Sequence, residues 1–224
     1  MIVKFFDWDQ AKNVFCGVEG LKCSDVVVVD HEWGGSFLAE VLVPDKNIEN
    51  DPPVGKVLRK AIAQDFQIIL GNKEKERDLA KEIKKEIRQN DFPMKVVEAK
   101  VSIDGGCILI VFSAEGRVDF RQLVKLFSTK YQKIVRFQQI GSRDEARNVG
   151  GYGICGKEIC CRKFSGSLKS ISTEMARNQM ISHRGSERLS GLCGRLMCCL
   201  AYEEEYYGKK DDSNGKKDLD ASKG

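Results

Sequence analysis

Hydrophobic and polar positions in the first 45 residues fall into short alternating runs. The apolar runs IVKFF, SDVVVVDHE and FLAEVLV are separated by turns that contain glycine, at positions 17–20 and 34–35. Short apolar runs bounded by glycine are typical of strands. The pattern therefore predicts a small antiparallel sheet or barrel, which we expect to occupy an N-terminal β-rich subdomain over residues 1–56.

The hydrophobic period changes to that of a helix after the loop NIENDPPVG. We expect a long charged helix from about Val57 to Gln89, in which pairs of Glu and Lys recur at helical spacing. The apolar residues of its second half fall on one face: Leu79, Ala80, Ile83 and Ile87. The helix is thus predicted to bury one narrow stripe and to leave its other sides in solvent.

The rest of the chain up to residue 207 predicts an α+β body with Cys-rich loops. The runs KVVEAKVSI and CILIVFS form a hairpin around Asp104-Gly105, and KIVRFQQI forms a further strand. Between them lies a helix capped by Asp119, with an apolar face of Phe120, Leu123, Val124, Phe127 and Tyr131. The segment SRDEARNV predicts a short helix. Hairpin, helix and strand place the chain in the α+β class over 57–207.

Composition places the chain among globular proteins, since 42% of its residues are apolar and 31% are charged. The tail 208–224 is almost wholly polar and is predicted to be disordered.

No apolar run approaches the roughly 18 residues of a membrane span, and the start MIVKFFDWDQ lacks the pattern of a secretory signal. We therefore expect a cytoplasmic protein, in which paired cysteines indicate metal binding or redox chemistry.

Charge is unevenly distributed along the chain. Residues 1–113 carry 16 Lys and Arg against 19 Asp and Glu, whereas residues 114–200 carry 16 against 7, a net charge of +9. Such a surplus suits an acidic partner or nucleic acid, and it equally suits a solvated basic surface.

Six of the nine cysteines lie in two copies of one motif. The copies GICGKEICC, residues 153–161, and GLCGRLMCC, residues 191–199, are identical at five of nine positions. The identical pairs are Gly153 and Gly191, Cys155 and Cys193, Gly156 and Gly194, Cys160 and Cys198, and Cys161 and Cys199. This repetition indicates a shared role for the thiols rather than chance burial.

Glycine hinges and thiol spacing limit what the motif can do. Cys155 and Cys160 could face one centre only if the chain turns between them, and Gly156 supplies that freedom. In extended structure the adjacent thiols of Cys160 and Cys161 would point to opposite faces. Zinc sites usually use cysteines two to four apart, whereas iron-sulfur clusters accept varied spacing. The sequence has no Cys-x-x-Cys, so the spacing favours a cluster without deciding it.

Other chemistry finds little support in the sequence. Cys16, Cys23 and Cys107 are predicted to be buried as small hydrophobic side chains, and both histidines, His31 and His183, to lie on the surface. The glycines of GYGICG spell a dinucleotide-binding pattern, but no strand precedes them. Two alternatives to a cluster protein stay open: a zinc-stabilised nucleic-acid-binding module and, less well supported without Cys-x-x-Cys, a thiol redox enzyme.

Three segments closely resemble the bacterial YaaT/RicT family of cell-fate regulators: FSAEGRVDFRQLVKLF, RFQQIGSRDEARNVGGYGICG and SGLCGRLMCCLAYEEEYY. The core of that family is shared with the polymerase-suppressor (PSP) C-terminal domain superfamily. The resemblance is strongest over residues 113–207 and looser upstream. Ile154 and Glu158 stand where family members usually have proline.

The resemblance implies a non-enzymatic adaptor that assembles with YlbF-type and YmcA-type helical proteins and promotes mRNA processing by ribonuclease Y. It also implies roles in sporulation, competence and biofilm formation, and an oxygen-sensitive 4Fe-4S cluster. The cluster ligands would come from the six cysteines that match the motif: Cys155, Cys160, Cys161, Cys193, Cys198 and Cys199. Which four ligate, whether a partner supplies a ligand, and whether the protein contacts RNA directly stay open.

Five arginines of the basic segment are candidates for the surface that meets a partner or RNA: Arg117, Arg121, Arg136, Arg143 and Arg147. The alternative is ordinary solvent exposure or ion pairing with nearby acids, namely Glu115, Asp119, Asp144 and Glu145. The sequence favours neither interpretation.

Overall fold

A computed structural model of the chain describes residues 1–164, 168, 170–183 and 185–207. The chain divides into two compact units, Met1–Ser167 and Leu168–Gly224. The first unit contains two sheets with their helices, and the second contains short helices. The predicted α+β class is confirmed. The tail 208–224, which was predicted to be disordered, lies outside the described residues.

The first sheet is antiparallel and five-stranded, and it is formed by the first 60 residues. Its strands are β1 (Ile2–Lys4), β2 (Lys12–Asn13), β3 (Val26–His31), β4 (Gly35–Val43) and β5 (Gly55–Lys60). They lie side by side in the order β2-β1-β4-β3-β5. One face buries small apolar side chains, among them Val27, Val29, Ala39 and Val41. The predicted N-terminal sheet is confirmed, and β2 and β5 are additional to it.

The long helix begins later than the sequence predicts, so the expected start near Val57 is wrong. Residues 55–60 form β5, in which Val57 pairs with Val29 of β3, and α1 spans Ala63–Gln89. Within β5 only Val57 is buried. A short run with a single buried position fits the start of a helix as well as a strand, and the pairing with β3 decides between them. The expected boundary between residues 56 and 57 falls inside β5.

The second sheet has three strands, β6 (Lys95–Val101), β7 (Cys107–Ser113) and β8 (Ile134–Ile140), in that order. β6 and β7 form the predicted antiparallel hairpin, and β8 lies parallel to β7. Helix α2 (Arg121–Tyr131) connects β7 to β8, as a parallel pair requires. Its N-cap residue is Phe120, and Asp119, the predicted cap, accepts a hydrogen bond from the Arg121 backbone N–H at 3.1 Å.

Helices α1 and α2 cover one face of the second sheet. Ile83 and Ile87 of α1 pack with Leu123 and Phe127 of α2 in one buried cluster that also includes side chains of the three strands. Leu79 and Ala80 lie against the same cluster. The predicted stripe on α1 is therefore confirmed.

The other face of the second sheet packs against the first sheet. Trp8 and Phe37 lie in one buried cluster with Leu109 and Val111 of β7, and the Trp8 indole N–H donates to a Glu98 carboxylate oxygen at 2.5 Å. Because β7 is covered on both faces, six of its seven residues are buried. This explains why the run CILIVFS lacks the alternation of a half-exposed strand.

His31 belongs to this aromatic interior, and its predicted surface position is wrong. Its ring stacks on Trp33 with centroids 3.7 Å apart and meets Phe5 edge-on. Burial lowers the pKa of His31 to about 4, so the ring is neutral near pH 7. His183 is exposed, as predicted.

The remaining helices are short and lie around the cysteine motifs. α3 spans Ser142–Val149, the predicted SRDEARNV segment, and α4 spans Cys160–Lys163. The second unit contains α5 (Thr173–Asn178), α6 (Ser186–Leu189) and α7 (Cys199–Tyr207). Its core is formed by Met175, Ala176, Leu189 and Leu200.

Candidate functional site

The first cysteine motif forms a tight hairpin loop between α3 and α4. The Gly153 backbone N–H donates to the Lys157 carbonyl at 2.8 Å, and the Gly156 N–H donates to the Gly153 carbonyl at 2.9 Å. A β-bridge joins Tyr152 to Glu158 below the turn. Gly156 has φ +73°, the left-handed region that glycine tolerates. The chain therefore turns directly after Cys155, as the sequence predicts.

The second motif repeats the same loop in the second unit. The Gly191 N–H donates to the Arg195 carbonyl at 2.8 Å, and the Gly194 N–H donates to the Gly191 carbonyl at 3.0 Å. A β-bridge joins Ser190 to Leu196, and Gly194 has φ +72°. Each of these contacts has its counterpart in the first loop at the matching motif position. The sequence repeat is thus also a repeat of backbone structure.

The first thiol of each motif lies at the turn and folds back over the motif's first glycine. A Cβ placed on Gly153 would lie 3.5 Å from the Sγ of Cys155, and one on Gly191 would lie 3.8 Å from the Sγ of Cys193. Cys155 is exposed and Cys193 is partly exposed. The two loops therefore present their leading sulfur atoms in the same local setting, accessible to a ligand.

The paired thiols of each motif lie where a helix begins. Cys160 is the first residue of α4, and Cys199 is the first residue of α7. They are not in extended structure, so the expectation that adjacent thiols face opposite ways does not apply. Successive side chains at a helix start point about 100° apart. Cys161 is buried, whereas Cys160 is partly exposed, so the two members of the first pair lie in different environments.

The chemistry of this donor set fits a metal centre. Six thiols in two equal loops are the ligand type of iron-sulfur clusters and of structural zinc sites. Across residues 1–164, 168, 170–183 and 185–207, no three His, Cys, Asp or Glu side chains form a group placed to hold a metal ion. The six cysteines therefore stay predicted ligands.

The three other cysteines lie outside the motifs and differ from one another. Cys107 is fully buried in β7, as predicted, and burial raises its pKa to about 11. The prediction of burial is wrong for Cys16 and Cys23, which are exposed. Their thiols donate at 3.2 Å to the carbonyls of Val18 and Leu42, respectively. A thiol can therefore lie at the surface when it donates a hydrogen bond to a carbonyl. Local sequence does not distinguish such a cysteine from one that is buried in the core.

The five candidate arginines lie in different settings. Arg117 and Arg121 are exposed on the segment before and at the start of α2. Arg121 pairs with Asp119 at 2.7 Å, and this hydrogen-bonded pair lowers the pKa of Asp119 to about 2. The exposed Arg136 donates its Nε–H to the Trp33 carbonyl at 3.2 Å.

The remaining two arginines lie on α3. Arg143 is partly buried. The Arg147 side chain is only 11% exposed, lies 3.4 Å from Asp144, and donates to the carbonyls of Trp8 and Asp9. Arg147 therefore ties α3 to the first sheet. The role of the five arginines as a partner or RNA surface stays a prediction, with Arg117 and Arg121 the most accessible of them.

Sequence reasoning missed a basic groove on α1. A surface groove of about 450 Å³ is lined by Lys81, Lys84, Lys85, Arg88 and Gln89. The spacing of its four cations was the available signal, since residues three, four and seven apart share one side of a helix. The sequence pattern predicts only the buried stripe and places the other sides of the helix in solvent.

Comparison with known proteins gives two family matches, one over the second sheet with its helices and one over the second unit. Residues 55–140 match the PSP1 C-terminal conserved region, and residues 170–213 match the third domain of PSP1-like proteins. The first match runs from the start of β5 to the end of β8. The second covers the second cysteine loop.

A comparison with an individual protein agrees. The chain is 35% identical over 186 residues to the stage 0 sporulation protein YaaT of Bacillus subtilis (strain 168), which covers 82% of this chain and 67% of that protein. No solved structure matches the chain. Among the described helices, none has the length and apolar character needed to cross a membrane. The chain belongs to the YaaT/RicT family, whose members carry the PSP1 C-terminal conserved region.

Proposed function

We propose that the chain is a non-enzymatic regulatory adaptor whose two cysteine loops contribute thiolates to a 4Fe-4S cluster. The observation that carries the proposal is the matched geometry of the loops, with the same two backbone hydrogen bonds and glycines at φ +73° and +72°. Apart from the shared glycine, the residues between the cysteines differ between the two loops, but the backbone is the same. Such a repeat is expected when the function of each loop is to position its sulfur atoms.

The chain's own residues supply thiolates and hold them in place. In the first loop, Gly156 allows the turn that separates Cys155 from the pair at the start of α4. One loop has three thiols, and a cluster takes four thiolates, so a complete site needs at least one further ligand. Bound there, the cluster would supply an oxygen-labile centre.

The regulatory part of the proposal rests on family membership. A relative 35% identical over most of the chain is a sporulation protein, which supports a role in cell-fate control rather than in metabolism. By the same resemblance, the adaptor would assemble with YlbF-type and YmcA-type helical proteins and promote mRNA processing by ribonuclease Y. Sporulation, competence and biofilm formation are the processes that such an adaptor would influence.

Metal analysis of the full chain tests the proposal. The protein is purified without oxygen, and iron, zinc and acid-labile sulfide are measured together with the visible spectrum. We expect iron and sulfide in about equal amounts, with a broad absorbance that is lost in air. Stoichiometric zinc without colour would refute the cluster and favour a zinc-stabilised nucleic-acid-binding module. Absence of metal in a correctly folded sample would refute both.

A further inference from the structure

Positive charge is concentrated on one side of α1. Lys81, Lys84, Lys85 and Arg88 line a single surface groove of about 450 Å³, and Arg77, also exposed, lies one turn before Lys81. From Arg77 to Arg88 the row extends about 16 Å along the helix at 1.5 Å per residue. A row of this kind presents cations at each turn of a rigid element.

Two acids of the same part of α1, Glu82 and Glu86, lie on another side of the helix and are ion-paired. Glu82 and Glu86 both accept from the Lys130 ammonium group of α2, at 2.8 and 3.0 Å. Because they pair with Lys130, these two carboxylates do not compete with an anionic ligand for the cations of the row. Glu82 and Glu86 are thus engaged away from the row, whereas the exposed Asp78 lies beside Lys81.

The cations of the groove are unpaired or only weakly paired, so they are available to an external partner. Lys81 pairs with Asp78 at 2.9 Å, but both side chains are more than three-quarters exposed, and such a pair contributes little. Lys84, Lys85 and Arg88 make no ion pair with any residue in the described part of the chain. Unpaired cations held in a row attract a polyanion.

The N-terminal half of the same side of α1 exposes apolar side chains. Phe66 is 43% exposed and Leu70 is 59% exposed. Phe66, Leu70, Arg77, Lys81 and Lys84 are separated by steps of four, seven, four and three residues, which keep them on one side of a helix. One side of α1 therefore carries an exposed aromatic ring and a row of cations, with the exposed Glu74 between Leu70 and Arg77.

We propose that this basic face of α1, formed by Phe66, Arg77, Lys81, Lys84, Lys85 and Arg88, binds single-stranded RNA. Proteins that bind single strands without sequence preference combine cations that follow the phosphates with an aromatic ring on which a base stacks, and both are present here. The choice of RNA over DNA rests on the proposed role in mRNA processing. The cations would contact the phosphates, and the aromatic ring would stack on a base, in single-stranded RNA and single-stranded DNA alike.

The test measures binding of the full chain to a fluorescein-labelled 20-nucleotide polyuridine by fluorescence anisotropy, between 50 and 200 mM salt. Four or five phosphate contacts predict a slope of about −3 in log affinity against log salt concentration. The variant Lys81→Gln/Lys84→Gln/Lys85→Gln should bind at least about tenfold more weakly at 100 mM salt, with a slope reduced by about 2. Phe66→Ala should weaken binding about fivefold or more without changing the slope.

The matched control is Lys46→Gln/Lys75→Gln/Lys125→Gln, which removes the same charge from exposed lysines outside the groove. It should keep the wild-type slope. Equal losses in the two triple variants would overturn the proposal, because they would indicate a general charge effect. Polyglutamate that competes as well as polyuridine would overturn it in favour of an acidic protein partner.

Iron and sulfide are measured in the same samples. Loss of RNA binding with unchanged metal content locates the failure in α1. RNA binding that fails in wild-type protein with a normal metal content overturns this inference and leaves the proposed cluster intact.

Discussion

Asp65 joins the first sheet to α1, and its removal should destabilise the first unit. It lies in the first turn of α1, and its side chain is only 3% exposed. Its carboxylate accepts two hydrogen bonds from the Arg59 guanidinium of β5, at 2.6 and 2.8 Å, and one from the Ile62 backbone N–H at 2.9 Å. One side chain therefore fixes the strand, the turn and the start of the helix.

The expected loss follows from these three bonds. Removing an acidic side chain that bonds a free N–H at a helix start costs about 1 kcal/mol. The Arg59 side chain is 48% exposed, so water replaces much of its pairing with the carboxylate and this pairing adds little. Asp65→Ala should thus lower the free energy of unfolding by about 1–2 kcal/mol at pH 7.

The pH dependence of this loss has a definite sign. The hydrogen bonds from Arg59 and Ile62 lower the pKa of Asp65 from 3.8 to about 2. A carboxylate with a lowered pKa stabilises the folded state fully above its unfolded value, and that stabilisation is lost as the pH falls towards the folded value. The difference between wild type and Asp65→Ala should therefore be constant from pH 7 to about 5 and shrink between about pH 4 and 2.

Urea unfolding followed by the fluorescence of Trp8 and Trp33 measures this difference, since both tryptophans lie in the first unit. Asp78→Ala is the matched control, because Asp78 is an exposed aspartate on the same helix and should change stability by less than about 0.5 kcal/mol. A loss below 0.5 kcal/mol for Asp65→Ala, or a difference that has already vanished at pH 5, would refute the reasoning.

Three further predictions follow from single positions. Gly71 lies inside α1 with nothing within 4 Å of an added Cβ, so Gly71→Ala should raise stability by about 1 kcal/mol in urea unfolding. Gly156 also has open space, but its φ is +73°, and Gly156→Ala should lower stability by about 1 kcal/mol in the same assay. Iodoacetamide at pH 8 should label the exposed Cys23 and spare Cys107, whose pKa burial raises to about 11; peptide mass spectrometry checks both.

Local patterns predicted the elements whose shape depends on nearby residues. The hairpin around Asp104-Gly105, the helix SRDEARNV and the buried stripe through Ile83 and Ile87 all follow from periodicity and turn residues, and all are confirmed. The turn after Cys155 was likewise predictable, because a glycine in that position allows the left-handed conformation.

Long-range contacts account for what the sequence did not reveal. β5 is a strand because it pairs with β3, and His31 is buried because Phe5, Trp33 and Phe37 assemble around it. Hydrophobic periodicity reports which face of an element is apolar, but it does not show which other elements that face will contact. The basic groove on α1 was open to prediction, and was missed because surface charge was attributed to solvation as a whole.

The most direct test of the proposed thiol centre compares the two loops. Cys155→Ser and Cys193→Ser are purified without oxygen beside wild type and Cys23→Ser, an exposed cysteine outside the motifs, and iron and acid-labile sulfide are measured per chain. The matched loops predict that both motif variants lose most of their iron and sulfide, to a similar extent, while Cys23→Ser keeps the wild-type content. Full iron and sulfide in either motif variant would contradict the claim that both loops serve one kind of metal centre.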